Sequence, residues 1–293
     1  MSAPSIEKTL TPKETFIYKD LIGPNFNPNW HFHPEFQISY IMEGEGTRFI
    51  GDHVQNFKKG DLVMTGPNLP HLWRNDDIYF EKDSGLTTRG LVIYFDHVLL
   101  SEPLLEMEEF YKINKLVEHS LRGIEFLGET RDIIIRLILE LDKQKGFKRI
   151  LHLLKILDTL SNSTEYNILA SPNYMNGFRG GDAEKMRKVY DYVMANFKTN
   201  ISLDEAAGLL NMTTTSFCRY FKPRANKTFT RFVNEIRIGH ARKLLLEDNF
   251  NISQISYECG YNALSNFNRQ FKSITDMSPL EYRKLFLNIQ APM

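Results

Sequence analysis

Short apolar or alternating runs fill the first hundred residues of the chain, and longer helical patterns follow them. The runs include FQISYIM, DLVMTG and GLVIYF, and Gly, Asp, Asn and Pro residues separate them. Many short strands with turn residues at this spacing are typical of an antiparallel barrel or sandwich. We therefore expect a β-rich domain over residues 1–100.

From about residue 101, apolar residues recur at three- and four-residue intervals, which is the period of one helix face. The helices predicted over 101–160 either pack on the strands or join two copies of the chain. Residues 161–181 lose this period and gain Ser, Asn, Pro and Gly, which is typical of a linker. Residues 182–293 show helical patterns throughout. The predicted fold class is α+β, with a β-barrel and its following helices before an all-α domain.

Charge separates the two halves of the chain, although the net charge is zero. Residues 1–181 contain 20 Lys and Arg against 25 Asp and Glu, whereas residues 182–293 contain 16 against 11. A basic domain after an acidic one indicates that only the basic domain meets a polyanion. Two widely separated cysteines, a polar amino terminus and the lack of an apolar run of about 18 residues predict a soluble, cytoplasmic protein with no membrane partner.

One pattern occurs twice in the basic domain. LDEAAGLLNMTTTSFCRYFK begins at Leu203, and ISQISYECGYNALSNFNRQFK begins at Ile252. Each copy predicts a short helix, a turn and a second helix, for which Thr213 and Asn262 are suitable N-caps. Two phenylalanines four residues apart mark the buried face of each second helix; they are Phe217 and Phe221, then Phe267 and Phe271.

The opposite face of each second helix carries short polar side chains, one Arg and a final Lys. Such a face suits the major groove, where Arg reads guanine and Asn reads adenine. A helix over Thr228–Leu246, about 28 Å long, would space the two reading helices for grooves ~34 Å apart. A last helix starts at Ser278, where backbone N–H groups can meet phosphate. The predicted DNA-binding residues are Thr214, Thr215, Cys218, Arg219, Lys222, Ser265, Asn268, Arg269, Lys272 and Ser278. The alternative is two ordinary helical hairpins with solvated cations.

These residues resemble the AraC/XylS family of bacterial transcription regulators over about 182–290. The resemblance is carried by Glu235-Ile-Arg237, Gly260-Tyr261, Phe271-Lys272 and Ser278-Pro279-x-x-Tyr282-Arg283. It implies a seven-helix DNA-binding domain with two helix-turn-helix units. By position, the base-reading residues are Thr215, Cys218, Arg219, Ser265, Asn268 and Arg269.

The chain departs from the family after each reading helix. Asn226 and Asp276 stand where the family usually has Gly. Asn and Asp tolerate left-handed backbone better than other residues with a side chain. We therefore expect both turns to keep the shape of the family.

The amino-terminal half resembles the cupin-type sensor domain common in this family, through HFHPE, EGEG, GDLVM and PNLPH. The resemblance implies a cupin-like β-barrel around a pocket for a small-molecule effector, such as a sugar or metabolite, followed by dimerisation helices. The predicted ligand-binding residues are His31, His33, Glu35, Tyr40, His71 and Trp73.

Three of these residues, His31, His33 and His71, also raise the question of a metal. His-x-His on a strand puts both rings on one face, and a third His can complete a site. Metal-binding cupins also have a Glu four or five residues after the second His, where this chain has Gln37 and Ile38. We therefore expect no metal, no cofactor and no catalytic residue.

The expected function is regulation of transcription, as an activator that responds to an effector. The expected partners are promoter DNA, a second copy of the chain and RNA polymerase. Two alternatives stay open. One is a metal-dependent cupin enzyme with a helical appendage, which turnover would support. The other is a DNA-binding protein that senses no ligand, which a failure to find an effector by titration calorimetry would support.

Overall fold

The computed structural model of the protein describes residues 14–96, 98–172, 174, 182–246 and 250–290. They form two compact units, a strand-rich unit before residue 177 and a helical unit after it. This arrangement confirms the α+β class that the sequence predicts. None of the helices within these ranges has the length and apolar content needed to cross a membrane.

The strands described in the first unit form two sheets. A six-stranded sheet has the order β1-β7-β2-β5-β8-β9, and a three-stranded sheet has the order β4-β3-β6. The strands are β1 (Phe16–Gly23), β2 (Phe36–Glu43), β3 (Gly46–Ile50), β4 (His53–Phe57), β5 (Leu62–Thr65), β6 (His71–Asn75), β7 (Thr88–Phe95), β8 (Ile124–Phe126) and β9 (Tyr166–Ile168).

Strand β2 lies in the middle of the larger sheet, where it pairs with β5 and β7. Because side chains alternate along a strand, Ile38 and Tyr40 enter the hydrophobic core on one face. Gln37 and Ser39 lie on the other face and are also buried. A central strand with buried polar side chains on one face indicates that this face lines a polar cavity.

Helices cover the apolar face of the six-stranded sheet. They are α1 (Glu102–Leu105), α2 (Tyr111–Ser120), α3 (Gly128–Leu141) and α4 (Phe147–Ser161), with short 3-10 turns at Asp77–Phe80 and Glu108–Phe110. The stripe that α3 and α4 bury in the core consists of Ile134, Leu137, Ile138, Leu141, Leu153, Ile156, Leu157 and Leu160. Packing on the sheet is therefore one role of the helices predicted over 101–160.

Two short strands lie where the sequence predicts a helix or a linker. Strand β8 pairs with β5, and β9 pairs with β8 at the edge of the sheet. Each has three residues, which is too short for a period to be visible. The guanidinium of Arg122 also donates to the carbonyl of Ala170 at 2.9 and 2.7 Å. The first part of the segment 161–181 is therefore held on the first unit.

The second unit is built around one long helix. Its seven described helices are α5 (Asp182–Asn196), α6 (Leu203–Gly208), α7 (Thr214–Ala225), α8 (Phe229–Leu246), α9 (Ile252–Glu258), α10 (Leu264–Thr275) and α11 (Pro279–Gln290). Helix α8 packs against α7, α9, α10 and α11. It buries residues on several sides, including Phe232, Ile236 and Leu245. One central helix thus joins the two copies of the repeat.

Candidate nucleic-acid interface and effector cavity

Helices α6 and α7 form the first helix-turn-helix unit. Thr213 caps α7, because its hydroxyl accepts a hydrogen bond from the amide of Ser216 at 3.3 Å, as the sequence predicts. Ala206 is buried, and its small side chain lets α6 approach α7 closely. Phe217 and Phe221 are fully buried. These contacts fix which face of α7 meets solvent.

The solvent face of α7 carries the predicted DNA-binding residues. Thr215, Cys218, Arg219 and Lys222 are exposed, and Thr214 is half-buried. The structure therefore brings Thr215, Cys218, Arg219 and Lys222 to the solvent face of α7, whereas Thr214 lies at the start of the helix on the side of the phenylalanines. Short polar side chains flanked by cations suit close approach to base edges and phosphates.

The two cysteines of the chain have opposite surroundings. The thiol of Cys218 is exposed on the solvent face of α7, whereas Cys259 is fully buried at the end of α9. Burial raises the pKa of the Cys259 thiol to about 12. Cys259 is therefore an inert core residue.

Helices α9 and α10 form the second unit, and their caps differ from the prediction. Asn251 and Gln254 form a capping box at the start of α9, with two reciprocal bonds of 2.9 Å. The prediction that Asn262 is the N-cap of α10 is wrong. Ala263 occupies that position and supplies no side-chain bond. The one-residue slip between the two copies falls before the cap, so Ala263 is the counterpart of Thr213.

The solvent face of α10 matches that of α7 in chemistry. Phe267 and Phe271 are fully buried, while Ser265, Asn268, Arg269 and Lys272 are exposed. Arg269 already has a partner on its own helix, since its Nη2 donates to the Oδ1 of Asn266 at 2.9 Å. That bond orients the guanidinium along the face that carries the other predicted residues.

Helix α11 begins beside this face with a capping box at Ser278, where the sequence predicts a helix start. The amide of Ser278 donates to Glu281 at 2.7 Å, and its hydroxyl accepts from the amide of Glu281 at 3.3 Å. These bonds lower the pKa of the Glu281 carboxyl. A groove of about 480 Å³ separates α10 from the start of α11, and Asn268, Arg269, Lys272 and Ser278 are among its lining residues.

Both reading helices end in left-handed residues, as the sequence predicts. Asn226 follows α7 with a φ of 51°, and Asp276 follows α10 with a φ of 59°. The amide of Asp276 donates to the carbonyl of Lys272 at 2.9 Å, which closes the helix. Asn and Asp therefore replace Gly at both turns.

Several arginines of the basic unit serve as internal supports. Arg237 donates to the carbonyl oxygens of Phe197 and Thr199 at 2.8 and 2.7 Å. Arg242 donates to the Tyr282 hydroxyl at 2.9 Å. Sequence reasoning missed these roles, although Arg237 and Tyr282 belong to the motifs that carry the family resemblance. The excess of positive charge therefore overstates how many cations of this unit are available to a partner.

A cavity of about 450 Å³ opens in the first unit. A pocket of this volume suits a small organic ligand, and its lining mixes apolar surface with polar groups. The lining residues include Lys19, Asp20, Asn25, Asn27, His31, Gln37, Ser39, Trp73, Thr88 and Tyr94.

The structure divides the predicted ligand-binding residues into three groups. His31 and Trp73 line the cavity. His33, Glu35 and His71 lie close to them but are buried. The expectation for Tyr40 needs correction, because its side chain belongs to the hydrophobic core on the opposite face of β2. The cause is the strand alternation that places Gln37, Ser39 and Ile41 on the cavity side.

Gln37, Ser39 and Tyr94 are lining residues that sequence reasoning missed. The Gln37 amide donates to the Ser39 hydroxyl at 2.6 Å, so the two form one polar surface on β2. A signal for Gln37 and Ser39 was present in the run FQISYIM, where these two polar residues alternate with apolar ones on a strand. Tyr94 lies on the neighbouring strand β7 and pairs with Gln37 in register.

The rings of His31, His33 and His71 cluster beside the cavity. The ring centroids of His31 and His71 are 4.5 Å apart, and those of His33 and His71 are 5.0 Å apart. A bridge between the backbones of His31 and His71 holds the first pair in register. Burial lowers the pKa of His71 well below its ordinary value, and the two neighbouring imidazoles lower it further. His71 is therefore a neutral ring.

A buried ionic group supports the cavity from behind. Arg48 is fully buried and donates to Glu125 at 3.0 Å and to Asp61. Asp61 also accepts from the indole N–H of Trp73 at 3.0 Å. Sequence reasoning missed this group, because its members are distant in the chain and only the fold brings them together. The indole of Trp73 is therefore fixed where it lines the cavity.

Comparison with known proteins identifies both units. Residues 11–157 match the family of AraC-like ligand binding domains, and residues 206–285 match a helix-turn-helix domain family. The uncharacterized HTH-type transcriptional regulator YdeC of Bacillus subtilis is 23% identical over 277 residues, which cover 92% of this chain and 91% of that protein. The Msm operon regulatory protein of Streptococcus mutans is 20% identical over 266 residues, which cover 91% of this chain and 88% of that protein.

Solved structures also resemble the chain. The crystal structure of ToxT from Vibrio cholerae is 14% identical, covers 95% of this chain and 100% of that chain, and superposes with a TM-score of 0.37. The ligand-binding family match alone spans half of the chain, and the helix-turn-helix match follows it along the sequence. The chain therefore belongs to the AraC family of transcriptional regulators, with a ligand-binding domain followed by a helix-turn-helix DNA-binding domain.

Proposed function

We propose that this regulator binds promoter DNA with α7 and α10 in successive major grooves on one face of the duplex. The observation that carries the proposal is the shared architecture of the two helices. Each buries a phenylalanine pair and exposes an Arg and a Lys at equivalent positions, Arg219 with Lys222 and Arg269 with Lys272. Two matched reading faces joined by one long helix suit a target with two neighbouring half-sites.

We assign base reading to the middle of each solvent face. These residues are Thr215, Cys218 and Arg219, then Ser265, Asn268 and Arg269. Arg can bond guanine with two donors, and Asn can bond adenine. Thr214, Lys222, Lys272 and Ser278 lie at the margins of these faces, where contacts to phosphate fix the register. The amide and the hydroxyl of Ser278 both bond Glu281, so a phosphate contact at Ser278 would replace one of these bonds.

The effector in this proposal is a small polar molecule, such as a sugar or metabolite, in the cavity of the first unit. Trp73 supplies an aromatic surface, and His31, Gln37, Ser39 and Tyr94 supply hydrogen-bonding groups. Such a ligand regulates transcription only if it binds one state of the protein more tightly than another. We propose activation as the outcome, with RNA polymerase as a partner and the cytoplasm as the location.

A second copy of the chain is the other proposed partner. Helices α3 and α4 bury one apolar stripe in the core, and they also expose Leu139, Phe147 and Leu151 to solvent. Two-fold pairing is the commonest symmetry of soluble oligomers, and an apolar helix face suits it. Sedimentation of the purified protein should therefore give the mass of a dimer, which Leu151→Asp shifts towards the monomer.

The DNA assignment is tested with genomic fragments selected by the purified protein. Arg219→Ala and Arg269→Ala should each weaken binding by about 1–3 kcal/mol and relax the sequence preference at one base position. The control is Arg187→Ala on α5, which removes the same charge outside both helix-turn-helix units. If both test variants bind like the wild type, α7 and α10 are not the reading helices. Titration calorimetry with candidate metabolites tests the effector cavity separately.

A further inference from the structure

The three clustered imidazoles have the geometry of a ligand set for a metal ion. One ring nitrogen of each residue lies within 4.8 Å of the others. The rings come from two places in the chain, His31 and His33 before β2 and His71 at the start of β6. Such convergence brings one nitrogen of each of the three rings together, with the buried carboxylate of Glu35 beside Nδ1 of His33.

Hydrogen bonds fix the direction of the ring nitrogens. Nδ1 of His31 donates to the carbonyl of Asn29 at 2.8 Å, and Nδ1 of His71 donates to the carbonyl of Leu69 at 2.7 Å. In a neutral ring this leaves Nε2 as the electron-pair donor. Metal-binding histidines are held in the same way, with the second ring nitrogen bonded to a carbonyl or carboxylate.

His71 is the member whose environment most needs a further partner. Its side chain is 1% exposed, and within the part of the chain that the structure describes its Nε2 has no hydrogen-bond partner. A buried lone pair without a donor loses the hydrogen bond that water would give it.

We propose that His31, His33 and His71 together bind one divalent transition-metal ion of the class that imidazole favours, with Zn²⁺ as its representative. Three histidines and an open fourth position are a common ligand set for zinc. In the ion-free protein Nε2 of His33 donates to Oε1 of Gln37 at 2.9 Å, and an ion on Nε2 replaces that bond. Nδ1 then carries the proton and faces Oε2 of the buried Glu35, 3.3 Å away, which orients the third ring. The sequence argued against a metal because Glu is missing after His33. The structure shows that three imidazoles meet without it.

Gln37 stands at the position where the carboxylate would be. Its Oε1 is 2.9 Å from Nε2 of His33, so its amide lies against the cluster and also lines the effector cavity. His31 lines the same cavity. An ion held by the cluster therefore leaves its fourth position to water or to an oxygen atom of the effector. This last step alone rests on the proposed effector function.

The test uses the purified full-length chain, stripped with a chelator and then loaded with Zn²⁺ alone or Co²⁺ alone. Elemental analysis after gel filtration should give one ion per chain, and the Co²⁺ protein should show the visible absorption of a low-coordinate site. His71→Gln should abolish retention. Glu35→Gln should weaken affinity about 10–100-fold, as expected for a residue that orients a ligand.

Two variants keep the result interpretable. His31→Gln changes a half-buried ring at the cavity, so it tests a ligand even if His71→Gln fails to fold, and it should weaken affinity more than Glu35→Gln does. His240→Gln removes an imidazole from the second unit and should leave affinity unchanged. Circular dichroism and thermal unfolding report whether each variant is folded.

Failure of the metal site and failure of the effector proposal are distinguishable. The site is overturned if the folded wild type retains no ion, or if His31→Gln and His71→Gln bind Zn²⁺ as tightly as His240→Gln. An effector that binds equally well to stripped and loaded protein overturns only its coordination to the ion. Neither result depends on whether α7 and α10 read DNA.

Discussion

The two helix-turn-helix units share a buried scaffold and an exposed Arg and Lys, and they differ at other exposed positions and at the helix starts. Both second helices bury two phenylalanines with no exposed surface and end in a left-handed Asn or Asp. In contrast, α7 begins at a capped Thr213 and presents Cys218, whereas α10 begins at Ala263 and presents Asn268. The repeated part specifies how each helix is held. The divergent part gives the two helices different surfaces.

Under the proposed function, this difference would let the duplicated motif read an asymmetric DNA target. The same residue positions carry different hydrogen-bonding groups, so the two half-sites need not have the same sequence. The Arg269 guanidinium also donates a hydrogen bond to the side chain of Asn266 on its own helix. Pre-orientation of a long side chain lowers the entropy lost when it binds.

The largest expected effect breaks the shared scaffold. Phe221→Ala and Phe271→Ala each remove a fully buried ring, and each should lower the free energy of unfolding by about 3–5 kcal/mol. Urea unfolding of the purified protein measures the loss. Tyr257→Ala removes a ring that is 59% exposed and is the control. A large loss from one phenylalanine and a small loss from the other would show that the two units are not equivalent.

A smaller effect separates the two reading faces. Asn268→Ala should weaken binding to the best site by about 1–3 kcal/mol and remove a preference for adenine at one position. Cys218→Asn should create such a preference in the other half-site. Binding to a panel of single-base variants measures both changes. If Asn268→Ala weakens all sequences equally, its side chain contacts phosphate rather than a base.

The unequal helix starts predict effects of opposite sign. Thr213→Ala removes the bond to the Ser216 amide and should cost about 1 kcal/mol of stability. Ala263→Ser supplies a cap that α10 lacks and should stabilise the protein by a similar amount. Thermal unfolding midpoints of the two variants test this. A neutral Ala263→Ser would mean that the serine hydroxyl does not reach the free amides of the first turn.

The smallest effect depends on pH and concerns the start of α11. The bonds from Ser278 lower the pKa of Glu281 in the folded protein. A lowered carboxyl pKa adds stability that is present above the ordinary value of 4.5 and is lost as the pH falls through the lower folded value. Unfolding midpoints of the wild type should therefore fall more between neutral and acid pH than those of Glu281→Gln. Equal slopes would contradict the assignment.

The repeat made the second unit predictable from the sequence. Periodicity predicted the buried phenylalanines, and local chemistry predicted the helix starts at Thr213 and Ser278. Each of these features depends on residues within one turn of a helix. The cap at Ala263 was missed because a one-residue insertion can fall on either side of it. Because Asn is a preferred N-cap residue and Ala is not, the prediction placed the cap at Asn262 instead of Ala263.

The first unit was less predictable because its site depends on contacts between distant segments. The sequence placed a β-rich domain correctly, yet Tyr40 lies on the core face of β2 and Gln37 on the cavity face. A one-residue error in alternation exchanges the two faces of a strand. The Arg48 group joins residues more than seventy positions apart, and β9 contacts the sheet only through its pairing with β8. No local pattern contains that information.

The unequal burial of the two thiols gives the natural chain a single site for chemical labelling, on α7. Only the sulfur of Cys218 is open to an alkylating reagent at neutral pH, since Cys259 is enclosed and its pKa is raised to about 12. A fluorophore attached there would sit in the middle of α7 without any engineered substitution. If duplex DNA slows alkylation of the Cys218 thiol, α7 lies close to the DNA. Repeating the measurement with different duplexes would show which sequences bring it there.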